Sequence, residues 1–331
     1  MPGPHMTGLM WMPSAPLSLA RLFAWHPQPV PVLPVLGAAL LVAYLLGVIR
    51  LARRGDRWSV GRVLWWAAGV LTIELTTATG FDGYGMELFS VHMVQHMVLG
   101  MLTPILLTLG APMTLLLRVL PARRAGQRSA RRLLLAVIHS RPVQVLANPA
   151  VTVLLFLASL YGLYFTPVFD WLMSTMWGHN LMLVHFLAIG MLYFWGVLGI
   201  DPSPRRGGGF MGAFSKPVVR LSELAATVPF HAFFGVIIMM ASGLIVRFYA
   251  QPPAGWRVSP LSDQQAAGGI AWGFTELPTL LVLGVLFLQW QRSDARHART
   301  ADHKAAIYGD AELDEYNARL AALSARDGAR P

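Results

Sequence analysis

Five of the ten histidines lie inside long apolar runs of the sequence, where an ionisable side chain is costly and therefore a candidate for function. Two of them, His92 and His96, are four residues apart. On a helix this spacing places both imidazoles on one face, one turn apart. Imidazoles presented in this way bind transition metals. The other three histidines occur in two later runs and are His179, His185 and His231.

Methionine and carboxylate side chains accompany these histidines. Met93 and Met97 each follow one of the paired histidines. Imidazole suits zinc, copper, iron and nickel, and thioether sulfur adds a preference for Cu(I), so the pattern favours copper. Three carboxylates are expected at the same depth, where they would orient the imidazoles or take up their protons: Glu74, Asp263 and Glu276.

Each of these residues also has an ordinary structural interpretation. A single histidine in a membrane helix more often makes a hydrogen bond to a neighbouring helix, and most methionines simply fill the core. The combination is more specific, because five histidines are expected between the midplane of the bundle and its outer surface. The inner half has few polar groups, which argues against a path through the protein for copper or protons.

The elements that position these residues must be membrane helices. Of the 331 residues, 55% are hydrophobic and 13% charged, whereas soluble proteins have about 25% charged residues. The formal charge of +10 does not indicate nucleic-acid binding, because the arginines lie in short gaps between apolar runs. The absence of cysteine excludes disulfides, thiolate metal sites and CxxC redox chemistry.

The apolar runs predict an all-α membrane protein, a bundle of about seven transmembrane helices. The runs cover residues 30–49, 63–79, 86–109, 149–165, 177–200, 220–248 and 268–290. Basic gaps follow the first, third, fifth and seventh runs, which predicts an outside N-terminus and a cytoplasmic C-terminus. The chain then divides into an extracytoplasmic Pro/Met-rich arm (1–29), a transmembrane domain (30–291) and a charged cytoplasmic tail (292–331). We expect the arm to be a disordered linker, not a Cu(I)-capturing segment, and an amphipathic cytoplasmic helix within 118–141.

Several motifs together resemble one family of membrane proteins. They are His92-Met93-Val94-Gln95-His96-Met97, Gly110-Ala111-Pro112, His179 through His185-Phe186, Gly199-Ile200-Asp201-Pro202-Ser203-Pro204, Pro229-Phe230-His231-Ala232-Phe233 and Asp263-Gln264-Gln265. In this set the chain resembles the seven-helix CtaG family, assembly factors of caa(3)-type cytochrome c oxidase, over about residues 30 to 320.

The resemblance implies an accessory role in maturing a bacterial oxidase, without catalytic turnover. It implies copper supplied from the outer side, with the five membrane histidines as candidate ligands. The expected partners are cytochrome c oxidase subunits or a copper donor protein, in addition to the lipid bilayer. Two alternatives stay open at this point: a haem-binding electron carrier with axial histidines, and a copper transport protein. A metal-dependent enzyme lacks a supporting motif such as HExxH.

Overall fold

The computed structural model describes residues 10–121, 129–202, 204, 216–308 and 311–327. Within these ranges the secondary structure is helical, apart from one isolated bridge between Trp25 and Thr79. The α-helices are α1 (Leu19–Leu22), α2 (Val32–Ala52), α3 (Val60–Thr77), α4 (Gly80–Glu87), α5 (Phe89–Met97), α6 (Thr103–Leu109), α7 (Pro112–Val119), α8 (Ala130–Ile138), α9 (Arg141–Leu146), α10 (Pro149–Tyr164), α11 (Val168–Met173), α12 (Met176–Leu198), α13 (Lys216–Met240), α14 (Pro260–Phe274), α15 (Glu276–Tyr308) and α16 (Ala311–Asp327). A π-helical turn (Val98–Leu102) joins α5 to α6, and a 3-10 turn covers Phe248–Ala250.

Five stretches of the described residues are long and apolar enough to cross a membrane. They are Val32–Ala52, Phe89–Val119, Met176–Leu198, Val219–Met240 and Pro260–Arg292. The shorter helices α3 and α10 lie where the second and fourth spans were predicted. The all-α membrane class is therefore confirmed, while the number of seven spans and the side of each terminus stay predictions.

Three predicted boundaries are wrong by several residues. The third span begins at Phe89, because Leu88 is extended (φ −127°, ψ 122°) and separates it from the short helix α4. The sixth helix ends at Met240, eight residues earlier than predicted. Helix α14 begins at Pro260, so Asp263 lies in its first turn and not before it.

Residues 10–29 of the N-terminal arm pack against the end of the bundle. The side chain of Gln28 is buried, and it both accepts from the Trp11 N–H (2.9 Å) and donates to the Trp11 carbonyl (3.1 Å). Leu22 belongs to an apolar cluster that also contains Tyr84 and Trp256. The expectation of a disordered linker is thus wrong for residues 10–29, whereas His5 and Met6 lie outside the described residues.

The basic stretch 118–141 forms helix only in part of its length. Helix α8 begins at Ala130, where the Ser129 hydroxyl accepts from the Arg132 N–H, and its apolar side chains Leu133 and Val137 are exposed. This agrees with the expected amphipathic helix, although residues 122–128 lie outside the described part of the chain.

The chain forms two compact units, residues 1–282 and 283–331. The second contains most of α15 and the predicted tail helix α16, which begins at Ala311. All five membrane histidines lie in the first unit.

Candidate functional site

Helix α5 carries both paired histidines, and Asp263 of α14 fixes where this helix begins. One carboxylate oxygen of Asp263 accepts from the backbone N–H of Phe89 (2.6 Å). The other accepts from the backbone N–H of Ser90 (3.3 Å) and from its hydroxyl (2.5 Å). The first N–H groups of a helix lack partners within the helix, and a carboxylate is favoured there by the helix dipole. Asp263 therefore positions the histidine-bearing helix by capping it and is not placed to contact the histidines directly.

The first site is a buried group at the α4 end of the bundle, which we call the α4 cluster: Asp82, His92, Gln95 and His179. His92 and His179 are each the fourth residue of their helices, α5 and α12. Their ring centroids are 6.4 Å apart. The Nε2 atom of His179 lies 3.9 Å from a carboxylate oxygen of Asp82, and the amide of Gln95 donates to the same oxygen at 2.7 Å.

Several polar atoms of this cluster have no hydrogen-bond partner among the described residues. They are both ring nitrogens of His92, Nε2 of His179 and Oε1 of Gln95, and all three side chains are at most 1% exposed. Each unpaired buried polar group costs about 1–3 kcal/mol, and such groups are rare in native proteins. Their concentration at one point makes the cluster a candidate binding site.

The carboxyl of Asp82 lies on α4, outside the membrane-spanning helices. Burial raises its pKa, and the nearby His179 and hydrogen bonds from Gln95 and Gln28 oppose this shift. Gln28 belongs to the packed arm, so the arm takes part in the polar environment of the cluster. A cation at this point would favour the ionised carboxylate in the same way.

The second site is a small cavity in the middle of the bundle, which we call the central cavity. It has a volume of about 20 Å³, enough for one water molecule or one ion. The polar or sulfur-bearing side chains that line it are His96, Met97, Met101, Ser159 and His231. His96 and His231 come from facing helices, α5 and α13, and both are buried.

Hydrogen bonds orient both imidazoles of the central cavity. The Nδ1 atom of His96 lies 2.8 Å from the hydroxyl of Tyr164, and the ring stacks on Phe186 with a centroid distance of 3.9 Å. The Nδ1 atom of His231 lies 2.8 Å from the hydroxyl of Thr275. That hydroxyl donates to the Ala271 carbonyl (2.8 Å), so it accepts from His231. The proton of His231 is therefore on Nδ1, and Nε2 carries a lone pair.

The backbone is unusual where α5 passes the central cavity. The π-helical turn follows directly after Met97, and such turns often mark functional sites. Helices come into close contact there, because a Cβ added to Gly190 of α12 would lie 2.2 Å from the Gly100 carbonyl oxygen. Glycine at position 190 allows this approach, and a Cβ at Gly100 would contact the edge of the His96 ring.

His185 occupies a third position. It is partly exposed, and its Nε2 atom lies 2.6 Å from the hydroxyl of Ser159. Since Ser159 lines the central cavity, His185 is connected to the cavity through the hydroxyl of Ser159.

The five histidines do not gather around one point. Among the described residues, no three His, Asp or Glu side chains lie close enough together to share a metal ion. His92 and His96 are on consecutive turns, and both rings contact Tyr164 and Phe186, but only His96 lines the central cavity and only His92 contacts His179. The structure distributes these histidines over the α4 cluster, the central cavity and the separate His185, and a pocket shared by all five is not shown among the described residues.

The remaining predicted residues are dispersed. Glu74 is directed towards α2, because a Cβ on Gly37 would lie 3.0 Å from its Oε1 atom. Met93 is fully buried, and Met97 lines the central cavity. The side chain of Glu276 lies outside the described part of the structure.

Sequence reasoning missed the residues that complete each site. Asp82 and Gln95 were not among the predicted site residues. Tyr164 and Ser159 carry hydroxyls within apolar helices, which is the signal that could have found them. Glu223 was also missed: it is a buried carboxylate in α13, in the half of the span that was expected to have few polar groups.

Comparisons with known proteins agree with this architecture. Residues 42–293 match the family described as cytochrome c oxidase caa3 assembly factor (Caa3_CtaG). The chain is 43% identical over 291 residues to uncharacterised proteins of Mycobacterium bovis and Mycobacterium tuberculosis, covering 87% of this chain and 43% of each relative. A Mycobacterium leprae protein, also uncharacterised, is 40% identical over 296 residues, covering 88% of this chain and 44% of the relative.

The chain thus spans less than half the length of the curated relatives it matches. No solved structure matches it. The family match extends over most of the sequence and includes all five membrane histidines and the capping residue Asp263. Together with the apolar helices, this shows that the chain is a multi-pass bacterial membrane protein that belongs to the Caa3_CtaG family of cytochrome c oxidase assembly factors.

Proposed function

We propose that the protein assists oxidase maturation by holding copper at the α4 cluster, with His92 and His179 as its two imidazole ligands and Asp82 as the carboxylate that orients His179. The observation that supports this most directly is the set of unpaired nitrogens on two buried imidazoles, next to a carboxylate. An ion coordinated by these side chains would remove the cost of leaving them unpaired. Gln95 would hold Asp82 in place through its 2.7 Å hydrogen bond.

The predicted topology indicates which side of the membrane the α4 cluster faces. If the N-terminus is outside, the α4 end of the bundle faces the extracytoplasmic side, from which a copper donor protein could load the cluster. A subunit of the oxidase would then receive the ion. In this role the protein binds and transfers its cargo and carries out no catalytic turnover.

The size of the cavities disfavours the haem alternative. The central cavity has room for about one water molecule or ion, whereas a haem needs a pocket that encloses a ligand of cofactor size. Absorption spectroscopy of the purified protein would test this directly, since bound haem would give a Soret band.

Metal analysis of the purified full chain tests the proposal. We expect His92→Ala, His179→Ala and Asp82→Asn each to lower the copper content at the α4 cluster at least tenfold. His139→Ala is the matched control, because His139 is exposed and bonds only locally to the Leu135 carbonyl. Unchanged copper content in all three variants, with the helical circular-dichroism spectrum retained, would overturn the proposal.

A cellular assay tests the assembly role independently of the metal. The oxidase would be produced in cells that have only the variant protein, and the copper content and activity of the isolated oxidase would be measured. We expect His92→Ala to lower both, and His139→Ala to leave both unchanged. A fully copper-loaded oxidase in the His92→Ala cells would show that the α4 cluster is not needed for maturation.

A further inference from the structure

We propose that the central cavity is a second metal site, selective for Cu(I), with His96 and His231 as imidazole ligands and Met97 and Met101 as thioether ligands. The inference rests on the proposed copper-handling function and extends it, because it gives the protein two sites of different chemistry. One of them contains a carboxylate and the other contains sulfur.

The hydrogen bonding of His231 is that of a metal ligand. Histidines that bind metals usually donate their second ring N–H to an oxygen, which fixes the tautomer and the orientation of the ring. Here the Thr275 hydroxyl donates to the Ala271 carbonyl and accepts from Nδ1 of His231. The lone pair on Nε2 is left for a ligand, and His231 lines the cavity.

His96 faces the same cavity from the opposite helix. Its Nδ1 atom is bonded to Tyr164, so Nε2 is the nitrogen available to an ion. Gly100 keeps this edge of the ring accessible, since a Cβ there would lie 3.4 Å from Cδ2 and 3.7 Å from Nε2 of His96. Two imidazoles from separate helices are thus held in place around a volume of about 20 Å³, the size of one ion or water molecule.

The sulfur atoms determine which ion fits. Met97 and Met101 line the cavity and are 1% and 6% exposed, and its described lining includes no carboxylate. Thioethers select soft ions, among which Cu(I) is the biological one that also binds imidazole. A divalent ion would be left with an uncompensated charge in this apolar surrounding, and a monovalent ion with a smaller one. Of the two methionines that favoured Cu(I) in the sequence, Met97 therefore belongs to this site, whereas Met93 does not line it.

The test is a Cu(I) competition titration of the purified full chain under anaerobic, reducing conditions with a chromophoric Cu(I) chelator. We expect two Cu(I) ions per chain in the unmodified protein and one in His231→Ala. Combining Met97→Leu with Met101→Leu should weaken binding at one site at least tenfold. The control Met173→Leu removes a fully buried methionine that does not line the cavity, and it should retain two ions.

A variant that removes no ligand separates a metal site from a packing defect. Thr275→Val keeps the volume of the side chain but removes the hydroxyl that fixes the tautomer of His231. We expect its Cu(I) affinity at one site to fall at least fivefold. X-ray absorption should show copper–sulfur scattering in the unmodified protein and its loss in the double methionine variant.

The outcomes distinguish this inference from the function on which it rests. Two ions in His231→Ala, or no copper–sulfur scattering in the unmodified protein, would overturn the central-cavity site and leave the α4 cluster intact. Retention of both ions in His92→Ala with His179→Ala would instead overturn the α4 site. Loss of one ion in each set of variants would support both.

Discussion

Two aspartates cap helices in the same way, one at each of two motifs that carry the family resemblance. Asp263 caps α5, which bears the paired histidines. Asp201 caps α7 by accepting from the Met113 and Thr114 N–H groups (3.0 and 2.8 Å) and from the Thr114 hydroxyl (2.6 Å). Asp201 thus caps a helix that contributes no residue to either site, whereas Asp263 caps the helix that carries His92 and His96.

The surroundings of the two capped helices differ. Helix α5 is buried along most of its length, whereas only Leu115 of α7 is buried. Of the four capped residues, only Phe89 of α5 is buried, whereas Ser90, Met113 and Thr114 are partly exposed. Equal caps should thus have unequal consequences when they are removed.

The largest effect is expected for Asp263→Ala. The change leaves the buried N–H group of Phe89, the part-buried N–H group of Ser90 and the Ser90 hydroxyl without their acceptor, at a cost of about 4 kcal/mol in the free energy of unfolding. Copper content should fall as well, because the start of α5 positions His92. Unfolding in detergent and metal analysis would measure both quantities, and full copper content at reduced stability would show that Asp263 does not position the site.

A smaller effect is expected for Asp201→Ala. The same number of hydrogen bonds is lost, but solvent access at α7 lowers the cost to about 2 kcal/mol. Copper content should stay unchanged, since α7 contributes no residue to either site. A loss of copper equal to that of Asp263→Ala would remove the distinction between the two caps.

The smallest effect is expected for Ser90→Ala. It removes one hydrogen bond to Asp263 while both backbone N–H groups keep their acceptor, so the loss should be about 1 kcal/mol. Thr114→Ala removes the corresponding hydrogen bond from a hydroxyl to Asp201. If Ser90→Ala matched Asp263→Ala in stability, the hydroxyl and not the backbone cap would hold α5.

The sequence was sufficient to predict the fold class and the presence of polar groups within the apolar runs, because the length of these runs and the histidines inside them are local signals. It was not sufficient to predict how the histidines are divided between the α4 cluster and the central cavity. His92 and His96 share a helix face, but whether they share an ion depends on Asp82, Tyr164 and His231, which come from other parts of the chain. The roles of Asp263 and Asp201 were likewise hidden, because a cap that reaches 174 or 87 residues along the chain has no local pattern.

The π-helical turn at Val98–Leu102 has a consequence for how this protein can vary. The turn puts α5 and α6 out of phase, so the two halves of one span present unrelated faces: α5 packs on α14, and α6 packs on α3. Substitutions before Val98 can change the side chains next to the histidines without altering the contacts that α6 makes with α3 after Leu102. The two halves of this span can therefore vary independently of each other.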